Sequence, residues 1–377
     1  KAWQGSDHDR AMQKASGRTV LGEFNGAPFR YAGTTSTFFK RDGKFYVRTD
    51  GPDGKLADFE IKYTFGLDPL QQYLIELPGG RIQALSIAWD VPRRRWFHLY
   101  PKERIDFRDE LHWTRPAQNW NFMCAECHAT DLTRNFDPSS RAYRTRWTRL
   151  GVGCQACHGP SSRHVEWARA GDKGAGAEPS KGLPVNLKGA DSTAEIEACA
   201  RCHARRAPLG DGFRHEHRLM DDYLPALIDE GLYHADGQIL DEVFEYGSFL
   251  QSRMHAAGLR CSDCHEPHGL KLRAPGNAVC TTCHTAGPPA ALPHVNTREL
   301  KAMEYDAPNH HFHKPGGPGS RCVDCHAPAR TYVVVNPRRD HSFRIPRPDL
   351  SVKLGTPNAC TGYWRRRGGS SDERNKR

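Results

Sequence analysis

The sequence predicts a fold of mostly α-helix and coil wrapped around stacked prosthetic groups, with an N-terminal antiparallel β module. Three observations predict it. Six times a pair of cysteines three apart is followed at once by a histidine: Cys124/Cys127/His128, Cys154/Cys157/His158, Cys199/Cys202/His203, Cys261/Cys264/His265, Cys280/Cys283/His284 and Cys322/Cys325/His326. Hydrophobic residues are only 37% of the 377 and the mean hydropathy is -0.72, low for a protein with a large aliphatic core. The stretch from about residue 31 to 100 carries no cysteine and alternates aromatic and β-branched runs with turn signals.

The repeated pentapeptide is the attachment signature of c-type haem. With 13 Cys and 20 His in 377 residues, independent placement would give about 0.02 such pentapeptides. The spacing has a mechanical reason. Two thiols about one helical turn apart can each add to a haem vinyl group, while the adjacent imidazole swings under the ring to ligate the iron. Zinc sites built from paired Cys-x-x-Cys knuckles need four ligands and give no reason for a His directly after every second Cys. A thioredoxin-type dithiol is read from one pair in a βαβ context, not from six scattered pairs. Twelve of the 13 cysteines are used in this way, which excludes a disulfide framework and leaves only Cys360. The expected cofactor is heme c, six groups, all covalent, and the stacked groups of the fold are these haems.

Taken in order, residues 1–30 form an N-terminal segment with a candidate distal ligand, and 31–114 the β module. Phe38-Phe39 and Phe45-Tyr46-Val47 flank Asp42-Gly43, Phe59 to Tyr63 follows Asp53-Gly54, and Tyr73-Leu74-Ile75 and Ile82 to Trp89 flank Pro78-Gly79-Gly80, the pattern of an antiparallel meander. Residues 115–360 form the multihaem cytochrome domain. Within it Ser192 to Glu195 reads as a capping box that sets the third motif on a helix, and the Gly-, Lys-, Pro- and Ala-rich run from the 170s to Ala190 reads as an exposed loop. Gaps of 19 to 62 residues between successive motifs exclude a tandem array of fixed period. Residues 361–377 are a basic tail.

The formal charge of +10 and pI near 9.0 would suggest a polyanionic partner such as nucleic acid. Haem charge argues otherwise. Six haems bring about twelve propionate charges against about six ferric ones, leaving the holo-protein near +4 oxidised and about −2 reduced. The excess Arg and Lys then pairs with propionates, and neighbouring potentials are coupled through charge. Cytochrome c maturation takes place outside the inner membrane, so the mature chain is expected in the periplasm or outside the cell. No stretch of 18 or more apolar residues reads as a transmembrane helix. The opening Lys-Ala-Trp-Gln lacks a signal peptide, as after cleavage or in a fragment.

The sixth ligand of each iron decides between moving electrons and doing chemistry. Six histidines are proximal, which leaves fourteen: His8, His98, His112, His164, His215, His217, His234, His255, His268, His294, His310, His311, His313 and His341. His268 in Cys-His-Glu-Pro-His-Gly and His164 after Gly-Pro-Ser-Ser-Arg lie close enough to a motif to reach a neighbouring haem. The cluster His310-His311-Phe312-His313 precedes the sixth motif and His341 follows it. Met123, Met220 and Met254 are further candidates, with packing as their alternative role.

From about Trp3 to Ala359 the chain resembles the large doubled-CxxCH multihaem cytochromes of bacteria, relatives of the superfamily that holds hydroxylamine oxidoreductase, octahaem nitrite and tetrathionate reductases, and cytochrome nanowire subunits. The resembling segments are Trp3 to His8, Asn119 to His128, Val152 to His164, Gly231 to Gly237, Cys261 to His268, and Asp340 to Gly355. The resemblance implies distal ligation by His8, His164, His234, His268, His311 and His341, without assigning each to a haem. Such relatives usually carry another CxxCH just upstream of the segment matching Trp3. They also continue Thr356 to Cys360 into a further CxxCH, whereas here Cys360 is followed by Thr-Gly-Tyr-Trp-Arg-Arg-Arg, so no haem is expected on it.

The leading expectation is electron transfer through six haems, with redox proteins as partners, no catalytic residue, and no nucleic acid. One alternative is an oxidoreductase acting on a small nitrogen or sulfur oxyspecies at one open-coordinate haem; the CxxCK motif of several nitrite reductases does not occur. Another is a subunit of an extracellular filament or homo-oligomer, with ligands such as His8 supplied in trans.

Overall fold

The computed structural model describes residues 1–171, 180–189 and 191–360. Residues 172–179 and 190 of the predicted loop from the 170s to Ala190, and the whole basic tail, lie outside the described residues. The chain divides into two units, Lys1–Val185 with Gly210–Glu216 and Val333–Asn336, and Asn186–Leu209 with His217–Tyr332 and Pro337–Arg377.

The first unit is built on an antiparallel sheet of nine strands: β1 Met12–Lys14, β2 Pro28–Tyr31, β3 Thr34–Arg41, β4 Lys44–Asp50, β5 Leu56–Phe65, β6 Leu70–Leu77, β7 Arg81–Ala84, β8 Ile87–Asp90 and β9 Arg95–His98. Their order is β2-β3-β4-β5-β6-β8-β9, with β1 paired to β5 and β7 to β6. Asp42 and Gly43 both adopt positive φ, 51° and 73°. That conformation makes the tight turn whose twist matches the flanking strands, and it sets Arg41 opposite Lys44 and Phe38 opposite Val47. Side chains alternate across the pleat, so Phe38, Phe45 and Val47 point inward with Phe24, Ile61, Tyr73, Ile75, Leu85, Ile87, Trp89 and Trp113. Trp96 lies flat on Phe38, with ring centroids 3.6 Å apart.

The two ends of the sheet nearly meet, which gives it an almost barrel-like form. Tyr31 of β2 stacks on His98 of β9 with centroids 3.5 Å apart and planes 9° from parallel, and its Oη lies 2.7 Å from the Glu103 carbonyl and 2.9 Å from that of Tyr100. Inside is a cavity of about 30 Å3 whose lining includes Ser36, Thr49, Asp50, Ser86, His98 and His112.

The expectation of a mostly helical and coil chain is therefore overturned, because helix accounts for 23% and strand for 24% of the described residues. Two physical reasons account for it. The sheet already begins at Met12, since Met12 pairs with Phe65 and Lys14 with Tyr63. A haem-binding pentapeptide needs only about one turn of helix to align its thiols, and Ala125–His128, Cys154–His158, Cys261–Cys264, Ala278–Thr281 and Cys322–His326 are no longer than that need. Among the described residues only two helices, Ser162–Ala170 and Thr193–His203, exceed eight residues.

Candidate haem-binding sites

The sheet positions the first motif. Asn119 caps the helix Trp120–Met123, its Oδ1 accepting from the Phe122 N–H at 3.1 Å. Asn121 ties the same helix to β7, accepting from the Ile82 N–H at 2.7 Å and donating to the Gly80 carbonyl at 3.2 Å. Trp120, fully buried, packs with Met12, Leu74, Ile82, Ala84 and Ala125. His128, which follows, donates from Nδ1 to the Ala11 carbonyl at 3.1 Å. A carbonyl can only accept, so that nitrogen carries the proton and Nε2 keeps the lone pair needed by a metal. Burial pushes the His128 imidazole down and the Cys124 thiol up to about 12, the nearby Cys127 thiol adding to the second shift.

At the first and fifth motifs the two thiols do not share one helix, Cys283 lying beyond the helix Ala278–Thr281 that holds Cys280. Cys124 lies between the helices Trp120–Met123 and Ala125–His128 with φ −121°, outside both, while Cys127 belongs to the second. The Cys127 N–H still donates to the Cys124 carbonyl at 3.2 Å, so a tight turn sets the spacing where regular helix does not. Cys157 does share the helix Cys154–His158 with its partner Cys154, and Cys202 the helix Thr193–His203 with Cys199. Cys127, Cys157 and Cys202 are all half-buried, and none is in a disulfide.

The second motif is approached by the N-terminal segment. The Val152 N–H donates to the His8 carbonyl at 2.8 Å, the Gly151 N–H to the His128 carbonyl at 3.0 Å, and the Trp3 indole N–H to the Val152 carbonyl at 2.9 Å. Gly151 is required there, since a Cβ would lie 2.5 Å from the Asp9 carbonyl oxygen and φ is +77°. His8, His128 and the second motif thus share one backbone junction. His164, on the helix Ser162–Ala170, donates from Nδ1 to the Lys181 carbonyl at 2.8 Å.

In the second unit the remaining four motifs meet thiol to thiol. Cys199 hydrogen-bonds Cys261, which lowers the Cys261 thiol, and Cys280 hydrogen-bonds Cys322, which is raised by that contact. Cys264 lies within electrostatic range of Cys283, and Cys325 of Cys360. The third motif closes the helix Thr193–His203, as predicted, but the capping box does not form. Ser192 makes no side-chain cap, and the buried Glu195 instead accepts from the N–H and hydroxyl of Ser262 at 2.7 and 2.8 Å. The residue inside the fourth motif thereby fastens it to the third.

The proximal imidazoles differ in what holds them. His326 donates from Nδ1 to the Arg344 carbonyl at 2.8 Å, whereas His203 places Nδ1 3.0 Å from the Glu245 carboxylate. His284 meets Tyr305 edge-on at 5.2 Å, and burial pushes its imidazole down. Burial is the largest single influence on Glu245 and raises it, but the His203 hydrogen bond and the charges of His203, His341 and Arg338 together outweigh it and hold the carboxyl at about 2.

Of the expected distal residues, His341 donates to the Arg339 carbonyl at 3.0 Å and faces His265, with ring centroids 6.4 Å apart. His311 accepts from the His313 N–H at Nδ1, and its buried Nε2 has no hydrogen-bond partner. Its neighbour His310 is the one that faces His326, at 6.1 Å and 6° from parallel. His234 Nε2 lies 3.0 Å from an Arg330 guanidinium nitrogen, and His268 Nδ1 3.1 Å from the Glu266 carboxylate. His112 engages both ring nitrogens within the β module, with Thr114 and Asp50, and His294 Nε2 is taken up by Asp263 at 2.9 Å. Sequence reasoning did not single out Glu245 or the Ala11 and Arg344 carbonyls, which have no local motif. It grouped His310 with its neighbours without choosing it.

These residues fit haem c: paired thiols on short turns and outside any disulfide, imidazoles with a fixed tautomer, and a buried Nε2 with no other partner. Large apolar side chains also stand exposed beside them, Phe122 and Met123 before Cys124 and Phe312 between His311 and His313. A flat hydrophobe at each motif would cover such surface.

The family described as doubled CXXCH motif matches residues 255–288, the fourth and fifth motifs. Among solved structures, the outer cell wall cytochrome OcwA matches with a TM-score of 0.64 and 18% identity, over 98% of this chain and 81% of that one. No curated protein matches. Among the described residues no helix is long and apolar enough to cross a membrane.

Proposed function

We propose that this chain carries electrons between redox partner proteins, outside the inner membrane, through six covalent haems. It is a multihaem c-type cytochrome: its CxxCH motifs mark covalent haem c, and its fold is shared with a cell-wall cytochrome. Bound at these sites, haem c supplies a reversible one-electron iron couple with little rearrangement of its surroundings.

The chain's own residues do the rest. Twelve thiols would attach haem c and six imidazoles would ligate its iron, and backbone carbonyls at Ala11 and Arg344 fix the tautomer of His128 and His326. The observation that carries the reading is the spacing of two histidine pairs. Imidazoles bound at about 2.0 Å on opposite sides of one metal ion would have ring centroids about 6.3 Å apart, a separation that ordinary offset aromatic pairs also reach. His265/His341 at 6.4 Å and His310/His326 at 6.1 Å match that separation. A saturated bis-histidine iron suits electron transfer rather than substrate binding. The thiol contacts Cys199/Cys261 and Cys280/Cys322 bring successive attachment points together, as a relay needs.

Intact mass of the holo-chain, read with its EPR spectrum, tests this. Six haem increments and only low-spin ferric signals are expected. Five or seven increments would overturn the count, and a high-spin signal near one haem in six would move the open-iron oxidoreductase ahead.

A further inference from the structure

Glu245 stands out because it reaches a proximal histidine from 42 residues away. It is the N-cap residue of the helix Tyr246–Phe249, whose Ser248 and Phe249 are buried. Phe249 packs in one cluster with Ile196, Leu259, Cys261 and Cys264. Ile196 belongs to the helix that ends at His203. One apolar core therefore holds both partners, and the 3.0 Å contact between Glu245 Oε2 and His203 Nδ1 joins two fixed elements. His128 and His326 bond to neutral carbonyls at the same ring position.

We propose that Glu245 is a positioning residue that lowers the potential of the haem bound by His203, making that iron more reducing than those bound by His128 and His326. The inference rests on the reading of His203 as a proximal ligand. A carboxylate draws the Nδ1 proton more strongly than a carbonyl does, so the ring gains imidazolate character and becomes a stronger donor through Nε2. Stronger donation and a fixed negative charge both favour ferric over ferrous iron. The bond also fixes the ring plane.

Potentiometric titration of the holo-protein, followed optically and by near-infrared magnetic circular dichroism, tests it on Glu245→Gln, Glu245→Asp and Glu242→Gln. Glu242 pairs with Arg338 at 2.8 Å and controls for loss of a nearby charge alone. Glu245→Gln should move one midpoint potential to more positive values and shift one ligand-sensitive near-infrared band to lower energy, with the rest unchanged. Glu245→Asp should recover part of the shift, and Glu242→Gln should produce a smaller one. Unchanged potentials in a fully loaded Glu245→Gln chain, or an equal shift in Glu242→Gln, overturn the proposal. If Glu245→Gln fails to load, the wild-type spectrum decides, since one band component displaced to higher energy is required and its absence overturns the proposal. Intact mass separates this failure from that of the parent reading: a wild-type chain without haem on the third motif refutes His203 as a ligand, independently of any potential.

Discussion

The imidazole rings of His310 and His326 lie within 6° of parallel with centroids 6.1 Å apart, close to the separation that two ligands sharing one metal ion would have. His326 belongs to the sixth motif, and its Nδ1 proton is already committed to the Arg344 carbonyl. The His326 ring is therefore oriented independently of His310.

Replacing His310 by Ala should then convert one low-spin haem to high-spin, and His341→Ala should do the same for the haem on His265. EPR at low temperature reads both. A wholly low-spin His310→Ala spectrum, beside a high-spin signal in His311→Ala, would transfer the role to His311.

Trp120 is fully buried between β6, β7 and the first motif, with Trp147 edge-on at 5.6 Å. Trp120→Ala should cost about 3–5 kcal/mol and loosen the attachment of the first motif to the sheet. Trp120→Phe, which also removes an indole N–H that has no partner, should cost much less. Denaturant unfolding of the loaded protein compares them, and equal midpoints would contradict the packing argument.

What was legible in the sequence was what chemistry confines to a few neighbouring residues. Two thiols and an imidazole must be contiguous to serve one haem, and a tight turn needs Asp42-Gly43 between alternating strands. The proportion of helix was not legible, because the pentapeptide asks for one turn and says nothing about the residues around it. Cys124 and Cys127 show how little it asks, since their spacing survives a break between two helices. Nor was β1 legible: its three residues are too short for a periodic signal and are specified by Phe65, Thr64 and Tyr63 of β5. Glu195 has the spacing of a cap, but Ser262 offers two donors in a buried setting and captures it. His310 and His311 are adjacent on one turn, so about 100° of rotation separates them, and only the fold decides which faces His326.

That capture makes Glu195 a joint between the third and fourth motifs. Hydrogen bonds to a charged acceptor contribute about 1.5–3 kcal/mol, and Glu195→Ala would leave the Ser262 N–H buried without its acceptor. The expected outcome is lower thermal stability and incomplete haem loading confined to these two motifs, mapped by mass spectrometry of haem-bearing peptides. Full loading with unchanged melting would show that the thiol-bearing turns hold together without it.

The β module should carry its own acid sensitivity. Burial against Tyr31 pushes His98 down to about 4 from 6.5, partly offset by the Tyr100 N–H that donates to its Nδ1. The unfolded chain therefore binds the proton first as pH falls, so stability from His98 is complete above about pH 6.5 and is lost progressively towards pH 4. Asp50, inside the same cavity, works in a lower window. Burial would raise its carboxyl, but the His112 hydrogen bond and charge leave it below its ordinary 3.8, so its contribution is present above that value and is lost only as pH falls below it. Thermal melts at steps between pH 7 and pH 4, followed by far-ultraviolet circular dichroism, should show a decline that His98→Phe flattens and Asp50→Asn does not. A decline equally steep in His98→Phe would assign the acid sensitivity to other groups.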